Sequence, residues 1–223
     1  MHFEYYVLAK YYPLLLRGLV VTIEYTIIGL LTSICFGTFV AILRAFTIPV
    51  LDGTLIAYIN ACREVPLLVQ LYFIFFALPS MGLTLSTAAA AILSITLNEG
   101  AFVAEIVRGG IQSLSRGQWE AARSIGMNQL QAMRYIILPQ ALKRVIPSLV
   151  GHTSYILKDT AVLTVIAIEE LTSAAGYIFD LTLSSMTAFG SAAIIYVGLF
   201  WILQHVGFRL ERAFGFEGVV RWT

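Results

Sequence analysis

The chain has 223 residues, of which 59% are hydrophobic and only 12% charged, with a formal net charge of +1. A soluble domain carries about 25% charged residues, so this composition excludes an ordinary water-soluble domain, and the near-zero balance gives no case for nucleic acid. Cys35 and Cys62 both lie in apolar context without metal-ligand spacing, and read as small buried hydrophobes rather than a disulfide.

An all-α integral membrane protein follows. A spanning helix needs about 20 mostly apolar residues, and five segments qualify: residues 15–43, 55–78, 83–107, 145–168 and 187–208. The apolar run 18–43 is too long for the core of a cleaved signal peptide and is expected to stay as a transmembrane helix. The fourth span contains His152, Lys158 and Asp159 and is the least regular. No repeat or composition break divides the chain, so residues 1–223 are expected to form a single transmembrane domain with one long polar loop, 108–144.

Loop charges orient the spans. Arg44 follows the first, six cations (Arg108, Arg116, Arg123, Arg134, Lys143, Arg144) follow the third, and Arg209, Arg212 and Arg221 follow the fifth. The alternate loops, 79–82 and 169–186, hold no Lys or Arg. The positive-inside rule then predicts the N-terminus outside and the C-terminus in the cytoplasm, with Lys10 and Arg17 as weak counter-signals.

The first span carries Gly29, Ser33 and Gly37 at four-residue intervals, a pattern that lets helices approach closely. It fits a dimer interface or ordinary packing inside one subunit. Charge inside a bilayer costs a few kcal/mol or more, yet Glu24, Arg63, Glu64, Glu99, Glu105, Lys158 and Asp159 lie within or at the ends of the spans. They are expected to face one another or a water-filled route, with Glu105 and the pair Arg63–Glu64 equally explained by an interfacial position. Pro66 either breaks a span beside a cavity or starts a helix after a separate interfacial one. His2, His152 and His205 stand far apart, which favours packing roles over metal binding, and no catalytic motif or phosphate-binding loop occurs.

In the long loop, Ser115 and Gln118 fit a capping box, predicting a short helix over residues 118–125 with Glu120 in its first turn. A second helix, 128–137, is expected to end before Leu138-Pro139. Trp119, Ala122 and Arg123 would share a face with Gly126 next along it, and Ala121, Ala122 and Gly126 leave space for a partner's groove.

Glu120-Ala121-Ala122, three residues, Gly126, nine residues, then Ile136-Ile137-Leu138-Pro139 resembles the EAA signature of permease subunits of bacterial ABC importers. Arg63-Glu64-Val65-Pro66-Leu67-Leu68-Val69-Gln70 is similar to a segment of the polar amino acid branch, as are Ala104–Ile111, Gly117-Gln118, Pro139-Gln140-Ala141 and Lys158-Asp159-Thr160. The sequence departs from that branch at Cys62, Glu64-Val65, Gly151-His152 and Ala161-Val162.

The resemblance implies a type I ABC importer permease fold of five transmembrane helices with a cytoplasmic coupling helix, in the bacterial cytoplasmic (inner) membrane. It implies no catalysis by this chain: ATP and magnesium belong to a dimer of partner ATPase subunits, and no cofactor or metal is bound here. The other implied partners are a second permease chain, identical or related, and an extracytoplasmic amino acid binding protein. The substrate is expected to be a polar, basic L-amino acid of the arginine, lysine, ornithine or histidine class, with glutamine and glutamate as the alternative. Asn98, Glu99, Lys158, Asp159, Thr160, Arg63, Gln70, Glu24 and Glu64 are the expected route, and Trp119, Glu120, Ala121, Ala122, Arg123 and Gly126 the expected coupling surface. An ion-coupled secondary transporter and a membrane scaffold are the competing classes.

Overall fold

The computed structural model describes residues 4–46 and 48–214, and His2 and Arg221 lie outside them. The described residues are overwhelmingly helical and include no strand. Helix α1 (Tyr5–Ala45) runs 41 residues without a break, passing Pro13. Helix α2 (Pro49–Glu64) starts with proline in its first turn, where a missing N–H costs nothing, and ends at Val65-Pro66. Helix α3 (Leu67–Tyr72) continues through a π turn, Phe73–Ala77, and a 3-10 turn, Leu78–Met81.

Helix α4 (Thr87–Gln112) is capped by Ser86, whose hydroxyl accepts from the Ala89 N–H. Helix α5 (Arg116–Ser124) stands alone, whereas α6 (Gln129–Ala132) runs through a π turn, Met133–Ile137, into α7 (Leu138–Asp159). A 3-10 segment, Thr160–Ile166, ends α7, followed by α8 (Leu171–Thr182) and α9 (Ser185–Ala213).

Among the described residues three helices are long and apolar enough to cross a membrane: α1, α4 and α9. Two bent pairs bring the number up to five: Pro49–Glu64 with Leu67–Met81, bent by 108°, and Gln129–Ile166 with Leu171–Thr182, bent by 50°. Pro66 therefore stands at the sharp bend between α2 and α3.

Two sequence expectations fail. The loop 169–186 contains α8, whose Leu171, Ala175 and Ile178 are buried with Val7 and Leu15 of α1 and Ala188 and Ala192 of α9. Leu138-Pro139 does not stop the chain. Pro139 falls in the first turn of α7, directly after the π turn, and the widened i→i+5 turn absorbs the proline that would otherwise break an α-helical ladder.

The central packing is α1 against α4. The Ser33 hydroxyl donates to the Ile95 carbonyl at 3.4 Å and the Thr96 hydroxyl to that of Thr32 at 2.7 Å. A Cβ on Gly37 would stand 2.5 Å from the Gly100 carbonyl oxygen, and one on Gly29 2.7 Å from Ile95. The Gly29, Ser33, Gly37 stripe is consumed by packing within the subunit, so it is not a face left for a second copy. Cys62 is half-buried, but Cys35 is exposed, contrary to the buried role expected.

Candidate functional site

Proline has no N–H, so Pro66 leaves the carbonyl of Cys62, four residues earlier, without its helical donor. Two side chains replace it: Gln70 Nε2 donates at 2.9 Å and Asn98 Nδ2 at 2.8 Å. Gln70 also donates to the Val65 carbonyl at 2.9 Å. The broken helix is thus held open by polar side chains from α3 and α4, and the break faces a cavity of about 500 Å³.

Arg63 and the Val65–Leu67 turn form one wall, α4 contributes Asn98, Glu99 and Phe102, and α7 contributes His152, Tyr155 and Asp159. A row of rings runs from this cavity, with a cation at each end. The Arg63 guanidinium carbon lies 5.3 Å from the Phe102 centroid, Phe102 is 5.7 Å from the His152 ring, and that ring is 5.8 Å from Tyr155, over which Lys158 Nζ sits at 5.4 Å. The Glu99 and Asp159 carboxyls stand beside each other. Two carboxylates close together away from water repel unless a cation or a proton joins them.

Of the route residues expected from sequence, the fold gathers Arg63, Asn98, Glu99 and Asp159 here. Gln70 serves the helix break, and the buried Thr160 hydroxyl donates to the Leu157 carbonyl at 2.8 Å. Lys158 turns to a second, apolar cavity of about 460 Å³ beside Tyr196 and Phe200. Glu24 and Glu64 are exposed and line neither cavity. His152, expected to stand alone, instead touches Glu99 across 53 residues of sequence. Only a lone histidine in a charged span could have signalled it. Among the described residues no group of three or more His, Cys, Asp or Glu side chains is arranged to hold a metal ion.

Glu105, left open between route and interface, joins an ion network: it holds Arg44 of α1 and accepts from Arg108 at 2.5 Å, while Arg44 also reaches Asp52 of α2 at 3.0 Å. This network lies next to α5.

Helix α5 spans residues close to those expected, but Ser115 makes no side-chain cap; the capping box is at Asn128 and Gln131, whose side chains and backbone N–H groups exchange 2.9 Å bonds. At its C-terminus the Gly126 N–H donates to the Arg123 carbonyl and that of Met127 to Ala122, with Gly126 at φ +82°. This is a Schellman end, and it needs glycine for backbone shape. A Cβ there would meet nothing of this chain within 4 Å.

Ala122 is buried and Trp119 packs on a core of Val107, Ile111, Met133 and Ile137, so these two anchor α5 to its own subunit. Glu120, Ala121, Arg123 and Gly126 are exposed, joined by Ile125 at 71% exposure, which the sequence reading missed. Arg144 of α7 donates to the Ser113 carbonyl at 2.8 Å, and Gln140 to Gln118 at 3.2 Å, tying the segment to α7.

A bundle of apolar helices around a polar, charge-lined cavity, with an amphipathic helix held at one end, defines a membrane-embedded transport subunit. The chain belongs to the family of binding-protein-dependent transport system inner membrane components, whose model matches residues 33–215. It is 37% identical over 202 residues to a probable glutamine ABC transporter permease of Bacillus subtilis, covering 87% of this chain and 90% of that one. It is 31% identical over 214 residues to a glutamine transport system permease of Escherichia coli, covering 95% and 98%.

The crystal structure of an amino acid ABC transporter with histidines superposes with a TM-score of 0.86 at 33% identity, covering 96% of this chain and all of that one. This chain is therefore an amino acid ABC importer permease, a non-catalytic multi-pass subunit whose ATP hydrolysis resides in a partner.

Proposed function

We propose that the cavity between α2, α4 and α7 is the substrate station of the permease and that it takes a polar L-α-amino acid of the glutamine type. The observation that carries this reading is its dipolar lining: the Arg63 guanidinium on one wall and the Glu99 and Asp159 carboxyls on the other. An α-amino acid presents a carboxylate and an ammonium a few ångströms apart, and a cavity with both signs pairs each. The relatives named as glutamine permeases support an amide side chain. The basic class expected from sequence keeps one supporting observation, two carboxyls against one guanidinium in the lining.

In this reading the basic face carrying α5 is cytoplasmic, and Glu120, Ala121, Arg123, Ile125 and Gly126 meet the ATPase subunits. Closure of those subunits would move α5, and through Arg144 and Gln140 would move α7, changing access to the cavity. A second permease chain and an extracytoplasmic binding protein complete the assembly.

The test is ligand-stimulated ATP hydrolysis by the reconstituted complex, with Arg63→Ala and Asp159→Asn as variants. Glutamine should stimulate the wild type and fail to stimulate either variant. Stimulation by arginine or lysine but not glutamine would replace the amide reading with the basic one, and full stimulation of both variants would remove the cavity from the route.

A further inference from the structure

Glu99 is 2% exposed and the His152 side chain about as enclosed, at 10%. Glu99 Oε2 and His152 Nε2 lie 2.6 Å apart, yet their angles fall outside hydrogen-bond geometry, and among the described residues neither atom has another polar partner. Two buried, unsatisfied polar atoms are costly unless something that enters the cavity completes them. The imidazole cannot swing far, because Phe102 and Tyr155 flank it at 5.7 and 5.8 Å. It is held against one carboxyl.

We propose that His152 sets the side-chain class the permease accepts, by occupying Glu99 so that the cavity receives an amino acid with an uncharged polar side chain. This rests on the cavity being the amino acid station. At 2.6 Å the imidazole stands directly against the Glu99 carboxyl, so a guest cannot reach that oxygen while the ring is in place. Arg63 and Asp159 are then the charged groups left open to the two ends of a zwitterion. With Glu99 released the lining offers a second carboxyl in a poorly solvated space, where opposite charges attract far more strongly than in water, and a cationic side chain becomes the better guest. Glu99 would then be one member of a switchable pair, and His152 the member that selects.

Equilibrium binding of radiolabelled glutamine and arginine to the purified permease–ATPase complex in lipid nanodiscs, without the soluble binding protein, tests this. The wild type should favour glutamine. His152→Asn should raise the arginine-to-glutamine affinity ratio roughly tenfold or more, and the rise should vanish when Glu99→Gln is added. A ratio within about twofold of wild type in His152→Asn that still binds glutamine overturns the proposal, as does a rise that persists in the double variant. If His152→Asn binds neither ligand, His152→Gln is measured, and loss of both again shows a purely structural residue and sinks it. A wild-type complex that binds no amino acid at all fails the station reading itself, an outcome separate from intact binding with an unchanged ratio.

Discussion

The side-chain amide of Asn98 donates to the carbonyl of Cys62 at 2.8 Å, tying the middle of α4 to the last turn of α2 where Pro66 has removed the helical donor. Gln70 donates to the same oxygen. A buried carbonyl without any donor costs about 1–3 kcal/mol, while loss of one of two donors costs about 1 kcal/mol. Asn98→Ala and Gln70→Ala should therefore each lower the unfolding midpoint modestly, and the double variant by more than their sum. Thermal unfolding in detergent measures this, and a strictly additive double variant would show that the two amides do not share a task.

Gly126 sits at φ +82° with open space around its missing Cβ. Gly126→Val should cost about 1–2 kcal/mol locally, because a left-handed conformation is disfavoured for L-residues. The spans should remain folded while the end of α5 is redirected, leaving basal ATP hydrolysis intact and cutting amino acid uptake severalfold. Normal uptake by this variant in proteoliposomes would show that the shape of this turn is immaterial to coupling.

Arg144 reaches from α7 to the Ser113 carbonyl and hydroxyl at 2.8 and 3.1 Å, strapping the turn between α4 and α5. The contact is solvent-facing and contributes roughly 1 kcal/mol. Arg144→Ala should change stability little yet weaken ligand stimulation of ATP hydrolysis, because α5 then moves without dragging α7. Equal stimulation in variant and wild type would place the transmission elsewhere, for instance through Trp119.

Gly37 and Gly109 offer a matched pair. A Cβ on Gly37 would press on the Gly100 backbone oxygen at 2.5 Å, whereas one on Gly109 meets nothing within 4 Å. Gly37→Ala should destabilise by about 1–3 kcal/mol, while Gly109→Ala should stabilise or leave stability unchanged because alanine is the better helix former. Paired melting curves decide it.

The apolar spans were legible because bilayer thickness imposes a length that hydropathy reports directly. Helix α8 was not, because its twelve residues are short for a span, follow Glu169-Glu170 and contain Asp180, charges that read as a polar loop. Buried Glu170 in fact caps that helix, its carboxylate accepting from the Thr172 and Ser173 N–H groups at 2.8 and 2.7 Å. Hydropathy marked Arg63, Glu99 and Asp159 as costly, but which charges share a cavity depends on the phase of three helices and on the break at Pro66. The same limit hid the division of Lys158 from Asp159, neighbours in sequence that face different spaces. The composition of α5 was readable, while the division of its residues between anchor and exposed surface required its contacts with α4 and α7.

Helix α1 has a consequence beyond packing. At about 1.5 Å per residue its 41 residues extend roughly 60 Å, about twice the hydrocarbon thickness of a bilayer. Near one end Thr187 of α9 accepts from the Glu4 N–H at 2.8 Å, and near the other Arg44 is fixed to Asp52 and Glu105. A single stiff beam thus links the start of the last span to the charged collar beside α5. Tilting that beam about its α4 contact would swing its two ends in opposite directions.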